Sequence, residues 1–260
     1  MNNIRETILK EISTSCLSNN AIKSNLLFIS LLGSTRTHEE VESYSDLDIL
    51  FILNSNESGA IDQVVLRAFK KMAQDLSKKY SLEISFLTHT IFDFEEYVDF
   101  NYLIHYSWGE VLYGDSTEYK VLFQEIIGSK YSDERRRDLI YYNLIHARFN
   151  LIRKYVSWNK FNTVDYKKNI LKLIIDLIIE ICDWSLVYKN IFKETKKEIL
   201  KEFNSNFKLK NGHIPQQAYE IRSKWKDLSF EEDTLDKFIE ESILFTQELI
   251  EMIYEEHTEN

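Results

Sequence analysis

Two short apolar runs, residues 26–32 (LLFISLL) and 49–53 (ILFIL), bracket a polar insert that opens on Gly33-Ser34 and closes on Asp46-Leu47-Asp48. Each run is rich in Leu, Ile and Phe and is bounded by turn-type residues, which predicts two buried strands. Asp46 and Asp48 stand two apart at the start of the second run, and a strand's period of two points both carboxylates to one face. Apolar strands seldom begin with two same-face acids unless the pair has a task. Gly33-Ser34 follows the first strand directly, and residues 35–40 read as the opening of a helix. A turn of this kind offers amide N–H groups to a phosphate. Two carboxylates beside such a turn make a site for a hard divalent cation, magnesium by preference, with substrate phosphates supplying further ligands. The plainer alternative is two core strands joined by a polar loop, with both aspartates solvated at the strand edge.

The rest of the first half continues the strand-and-helix alternation. Ile4, Ile8, Leu9 and Ile12 form a helical stripe in residues 3–16, and Val64, Val65, Ala68, Phe69, Met72 and Leu76 form another in residues 61–80. Residues 54–59 read as a polar turn. Residues 81–89 (SLEISFLTH) alternate as a third strand, with Leu82, Ile84 and Phe86 on one face and Glu83, Ser85 and Leu87 on the other. Residues 91–106 are aromatic and acidic and read as a helix or a helix plus loop. Gly109–Gly114 reads as a short edge strand and turn, with Trp108 placed either to stack on a base or sugar or to pack at a domain seam. After about Gly128 almost no strand pattern remains. Residues 135–154 behind an N-cap at Asp133, then 163–188, 193–203, 216–225 and 231–256, carry helical periodicity, and 204–215 is the clearest loop. Residues 163–188 are apolar nearly all round, as the centre of a bundle would be. One proline and six glycines agree with long, unbroken helices. The reading is an α/β (α+β) domain with a mixed sheet over residues 1–128, followed by an all-α bundle over 129–260.

The order Gly-Ser, ten residues, then Ser-Asp-Leu-Asp on a strand resembles the nucleotidyltransferase superfamily of DNA polymerase beta. Within it the chain is similar to the small-molecule branch that includes bacterial aminoglycoside and lincosamide nucleotidyltransferases. The resemblance rests on about a tenth of the chain, and the helical second half is of the kind that closes one wall of the cleft in that branch. It implies a third carboxylate from the strand beside the Asp-x-Asp strand. Glu83, in the context Leu-Glu-Ile-Ser, holds that position and would complete the metal site, deprotonate the acceptor hydroxyl, or both; Glu110 is a second, weaker candidate for the base. It further implies a lysine at the start of a helix in the second half that meets the triphosphate. Lys167 and Lys168 both match, and a solvated helix-start lysine is the alternative for each. Arg36 and Arg148 are weaker phosphate candidates, while Arg135–Arg137 is expected to cap and solvate a helix start. His38, His89, His105 and His146 are too scattered to form a zinc site. The chain departs from the family at His38, where many relatives have a second glycine, and in the acidic insert with Glu39, Glu40 and Glu42.

The implied activity is magnesium-dependent transfer of a nucleoside monophosphate from ATP or another NTP to a hydroxyl of a small molecule, an aminoglycoside-type antibiotic in the first instance. Two alternatives stay open. One is a nucleotidyltransferase acting on a protein or a tRNA, as in a toxin–antitoxin pair; the other is a non-catalytic nucleotide-binding member of the same fold. The net charge of −10 argues against a nucleic-acid backbone as the main partner and suits a cationic acceptor. No apolar run reaches the ~18 residues of a membrane span, and residues 1–16 lack a signal-peptide pattern. Cys16 and Cys182 lack metal-type spacing and read as thiols in a reducing cytosol. A cytoplasmic monomer or homodimer is therefore expected.

Overall fold

The computed structural model describes residues 2–42, 44–54, 59–157, 163–228 and 232–258. The chain divides into two compact units: Met1–Glu40 with Ser45–Ser132, and Val41–Tyr44 with Asp133–Asn260. The sequence places a single break at 128/129. The observed one lies four residues later, and the stretch Val41–Tyr44, inside the insert between the two first strands, goes with the helical unit.

The first unit contains α1 (Asn2–Ser18), α2 (Asn20–Lys23), β1 (Leu26–Leu31), α3 (Gly33–Arg36), β2 (Leu47–Leu53), α4 (Gln63–Tyr80), β3 (Ile84–Thr90), α5 (Ile91–Glu96), α6 (Phe100–Ser107), β4 (Glu110–Tyr113) and α7 (Ser116–Lys130). The four strands form one mixed sheet in the order β3-β2-β1-β4. β1 pairs antiparallel with both β2 and β4, and β2 pairs parallel with β3. The parallel pair is joined through α4, as a parallel connection requires a crossover. Asp62 caps the start of α4 by accepting from the Val64 N–H, and Ser81 closes it in the left-handed conformation at φ 52°.

Strand alternation gives the sheet two distinct faces. Ile29, Leu31, Leu47, Ile49, Phe51, Leu53 and Ile84 pack against Ile8, Ile12 and Cys16 of α1 and Val65, Phe69 and Leu76 of α4. Phe28, Leu32, Leu50 and Ile52 pack against Phe94, Leu103, Tyr106, Tyr119 and Phe123 of α5, α6 and α7. The first layer is bound by aliphatic residues at helical spacing; the second is aromatic and carries hydroxyls. Ser30, fully buried in β1, lies 3.0 Å from the Tyr119 hydroxyl, which itself donates to the Tyr106 carbonyl. Helix α7 is absent from the sequence reading, although Asp115 caps it by accepting from the Thr117 and Glu118 N–H groups.

The helical unit contains α8 (Asp133–Ser157), α9 (Val164–Tyr188), α10 (Lys196–Asn206), α11 (Ile214–Ser223), a 3-10 turn at Trp225–Asp227 and α12 (Glu232–Thr258). α9 is its centre, touching α8, α10, α11 and α12, as its all-round apolar surface requires. Two expectations need correction. Leu139, Tyr142, Leu144, Ile145, Phe149 and Ile152 are not a single core side of α8. Its buried stripe is Arg136, Ile140, Leu144, Ala147 and Leu151, while Tyr142 and Phe149 are 59% and 64% exposed. Apolar residues lie all round this helix, so spacing alone could not choose the buried side. Arg136 is also not solvated: it is buried, donates to Asn190 Oδ1 and pairs with Asp133 at 3.2 Å. Within this unit Tyr44 donates its hydroxyl to Asp176 Oδ1 at 2.8 Å and packs edge-on against Trp225, with the Lys172 and Arg222 cations over its ring. Burial pushes the Asp176 carboxyl above its usual range, opposed by the Tyr44 hydrogen bond and the cations nearby.

Candidate functional site

The end of β1 and the start of β2 are held side by side. Leu31 pairs with Ile49, and the Leu32 N–H donates to the Asp48 carbonyl at 3.0 Å. This brings the turn at Gly33 against the Asp48 side chain. Gly33 sits at φ +65°, where only glycine is unstrained, and a Cβ added to it would stand 2.7 Å from Asp48 Oδ2. Both properties of glycine, its φ and its missing side chain, are thus used at one position. α3 starts at this glycine and ends at Arg36, short of the expected residue 40. The cause is local: Thr37 closes the turn and His38 takes φ +58°. His38 therefore keeps the left-handed backbone that a glycine would adopt readily, at the position where the resembled family often has one.

Asp46 precedes β2 by one residue and Asp48 lies inside it. The Thr35 hydroxyl donates to the Asp46 carbonyl at 3.3 Å, so the residue two after Gly33 secures the backbone of the first aspartate. Asp48 shares its face with Leu50 and Ile52, and its charge is felt at Tyr106. Burial, then the charges of Tyr102 and Asp48, push that phenol up to about 12.

Glu83 precedes β3 by one residue and is exposed. Its carbonyl accepts from the Leu47 N–H at 2.9 Å, and Asp48 pairs with Ser85. Continuing that alternation puts Glu83 beside Asp46, on the face of the two aspartates. Glu110 does not share it. It pairs with Leu31, on the α1 side of the sheet, and its carboxylate lies 3.4 Å from the Arg5 guanidinium. Lys167 and Lys168 stand in the first turns of α9, in the helical unit, behind the Thr163 N-cap. Trp108 closes α6 and packs edge-on against His105. Residues 158–162, read with the α8–α9 connection, lie outside the described residues, as do 55–58 of the expected polar turn.

The donor set suits magnesium in kind: two aspartates and a neighbouring glutamate offer oxygens to a hard cation, beside the Gly33 turn. Among the described residues, no three or more His, Cys, Asp and Glu side chains already stand together as a metal-holding group. The contributions of Thr35 and Tyr106 are not apparent from the sequence. Thr35 is signalled only by its place just after Gly-Ser, and Tyr106 is one aromatic among many. Compared with protein-family models and with the curated proteins, the chain matches none.

Proposed function

We propose that the chain transfers a nucleoside monophosphate from an NTP, ATP first, to a hydroxyl of a small cationic acceptor, in the manner of the antibiotic nucleotidyltransferases it resembles. One observation carries the reading. The Asp46–Asp48 pair opens β2 with the Gly33 turn so close that a Cβ at 33 would stand 2.7 Å from Asp48 Oδ2. Gly33 and Asp48 are the ends of the Gly-Ser…Asp-x-Asp pattern, and they lie side by side.

In this reading the Gly33-Ser34 turn receives the triphosphate, and Asp46 and Asp48, with Glu83, hold magnesium. Magnesium bound there supplies Lewis-acid polarisation of the α-phosphate and charge neutralisation at the leaving pyrophosphate. Glu83, the acid on the same face, takes the proton of the acceptor hydroxyl. The acceptor oxygen bonds to the α-phosphorus as the bond from that phosphorus to the bridging oxygen breaks, and pyrophosphate leaves.

The test is pyrophosphate release with each NTP and magnesium, against a panel of aminoglycosides and lincosamides. Release that depends on one antibiotic is expected, with Asp48→Asn lowering it roughly a hundredfold or more while the thermal midpoint stays near wild type. Wild-type turnover by that variant would remove the assignment. Nucleotide binding by calorimetry with no release from any acceptor would redirect the search to a protein hydroxyl, using labelled ATP and lysate.

A further inference from the structure

The outer edge of the sheet carries a concavity of about 700 Å³, where the C-terminal half of β3 meets α5, α6 and the start of α4. Its volume falls within the range of small-molecule sites. It is not the aspartate site. Ser85 is the residue paired with Asp48, and His89, in the cavity wall, lies four residues farther along β3, roughly 13 Å away at strand rise.

The wall has a distinct chemistry. Tyr97, Tyr102 and Tyr106 supply aromatic surface, Asp93 and Asp99 supply carboxylates, and no lysine or arginine is among the described residues that line it. His89 adds no cation at neutral pH, since burial pushes its pKa down against the pull of Asp93. The parts are held in place. Asp93 accepts from the Thr90 N–H and hydroxyl at 2.6 and 2.9 Å, Asp99 accepts from the Asn101 N–H at 3.0 Å, and the Tyr102 and Tyr106 rings lie 6.1 Å apart. An anion would find no positive partner among the described lining residues, and the nearby Lys130 ammonium donates to the Phe94 and Val98 carbonyls. A cation would find ring faces for its apolar shell and carboxylates for its charge.

We infer that this cavity, formed by Tyr97, Tyr102 and Tyr106 with Asp93 and Asp99, is a binding site for a small organic cation, of the alkylammonium class. The inference uses none of Gly33, Asp46, Asp48 or Glu83; Tyr106, which feels the Asp48 charge, is shared with the site at the aspartates.

The experiment titrates the full chain by ligand-observed NMR with two probes of one shape, choline and its uncharged isostere 3,3-dimethylbutan-1-ol. Choline is expected to bind saturably at millimolar concentrations, about tenfold more tightly than the alcohol. Asp99→Asn keeps a side-chain acceptor for the α6 cap while removing the charge, and should erase most of that difference. Tyr102 is 54% exposed, so its replacement is tolerated by the fold; Tyr102→Leu should weaken choline, and Tyr102→Phe should retain it. Equal affinity for the two probes, no saturable binding of choline, or wild-type binding by both Asp99→Asn and Tyr102→Leu would each overturn the assignment.

Discussion

The two faces of the one sheet are packed under different rules. Against α1 and α4 the strands bury Leu, Ile and Phe, with Ile49 and Phe51 completely buried, and the one acid on this side, Glu110 at the edge, is paired with Arg5. Against α5, α6 and α7 the same strands present Asp48 and Ser30 among apolar residues, and the facing helices answer with tyrosines. One face is a closed core. The other keeps an acidic end at Asp46–Asp48 and an aromatic cavity farther along β3. The difference teaches where function can reside in a thin sheet: on the side whose packing residues bring hydroxyls, which can lie beside a charge without a large desolvation cost.

The largest effect belongs to the closed face. Phe51→Ala removes a ring packed against Phe69 and Phe86, with centroids 4.5 and 4.9 Å away. It should cost about 3–5 kcal/mol in urea unfolding. A loss of under ~1 kcal/mol would mean that this face is not a closed core. Next comes Gly33→Ala, which forces a Cβ into left-handed backbone and toward Asp48 Oδ2. It should lower stability by about 1–2 kcal/mol and, in the transfer reading, depress turnover with it; unchanged turnover would separate the glycine from the acids. The smallest effect is the pH dependence carried by Tyr106 on the hydroxyl-bearing face. Tyr106 is pushed up to about 12, above the unfolded value near ~10. The unfolded chain therefore releases this proton first, and stability should fall as pH rises from about 10 to 12. Tyr106→Phe should flatten part of that fall in denaturant titrations at stepped pH.

Much of the closed face can be read in the sequence, because its signals are periodic. Ile8 and Ile12 recur at helical spacing, β2 is apolar without a break from Ile49 to Leu53, and residues 81–89 alternate, so each element announces its own burial. The order of aspartates, glutamate and turn along the chain is equally plain. What could not be read arises from contacts distant in sequence. Glu110 is acidic and near the sheet, and only the β1–β4 register sends it to the Arg5 side. α7 has apolar residues spread round its circumference, and so does α8, so neither declares a face. His38 looks like a lost glycine, yet its backbone keeps the left-handed turn.

The lodging of Tyr44 in the helical unit has a consequence for how the protein is made. A ribosome delivers this tyrosine first and Asp176, the carboxylate that receives its hydroxyl, 132 residues later. At roughly 5–20 residues per second, the interval is on the order of ten seconds. During that time β1, β2 and β3 can all emerge, while the stretch leading into Asp46 has no acceptor yet synthesised. The approach to the first aspartate is therefore among the last parts of the amino-terminal half to reach its final place, and a messenger truncated at Ser132 would encode every strand without that anchorage.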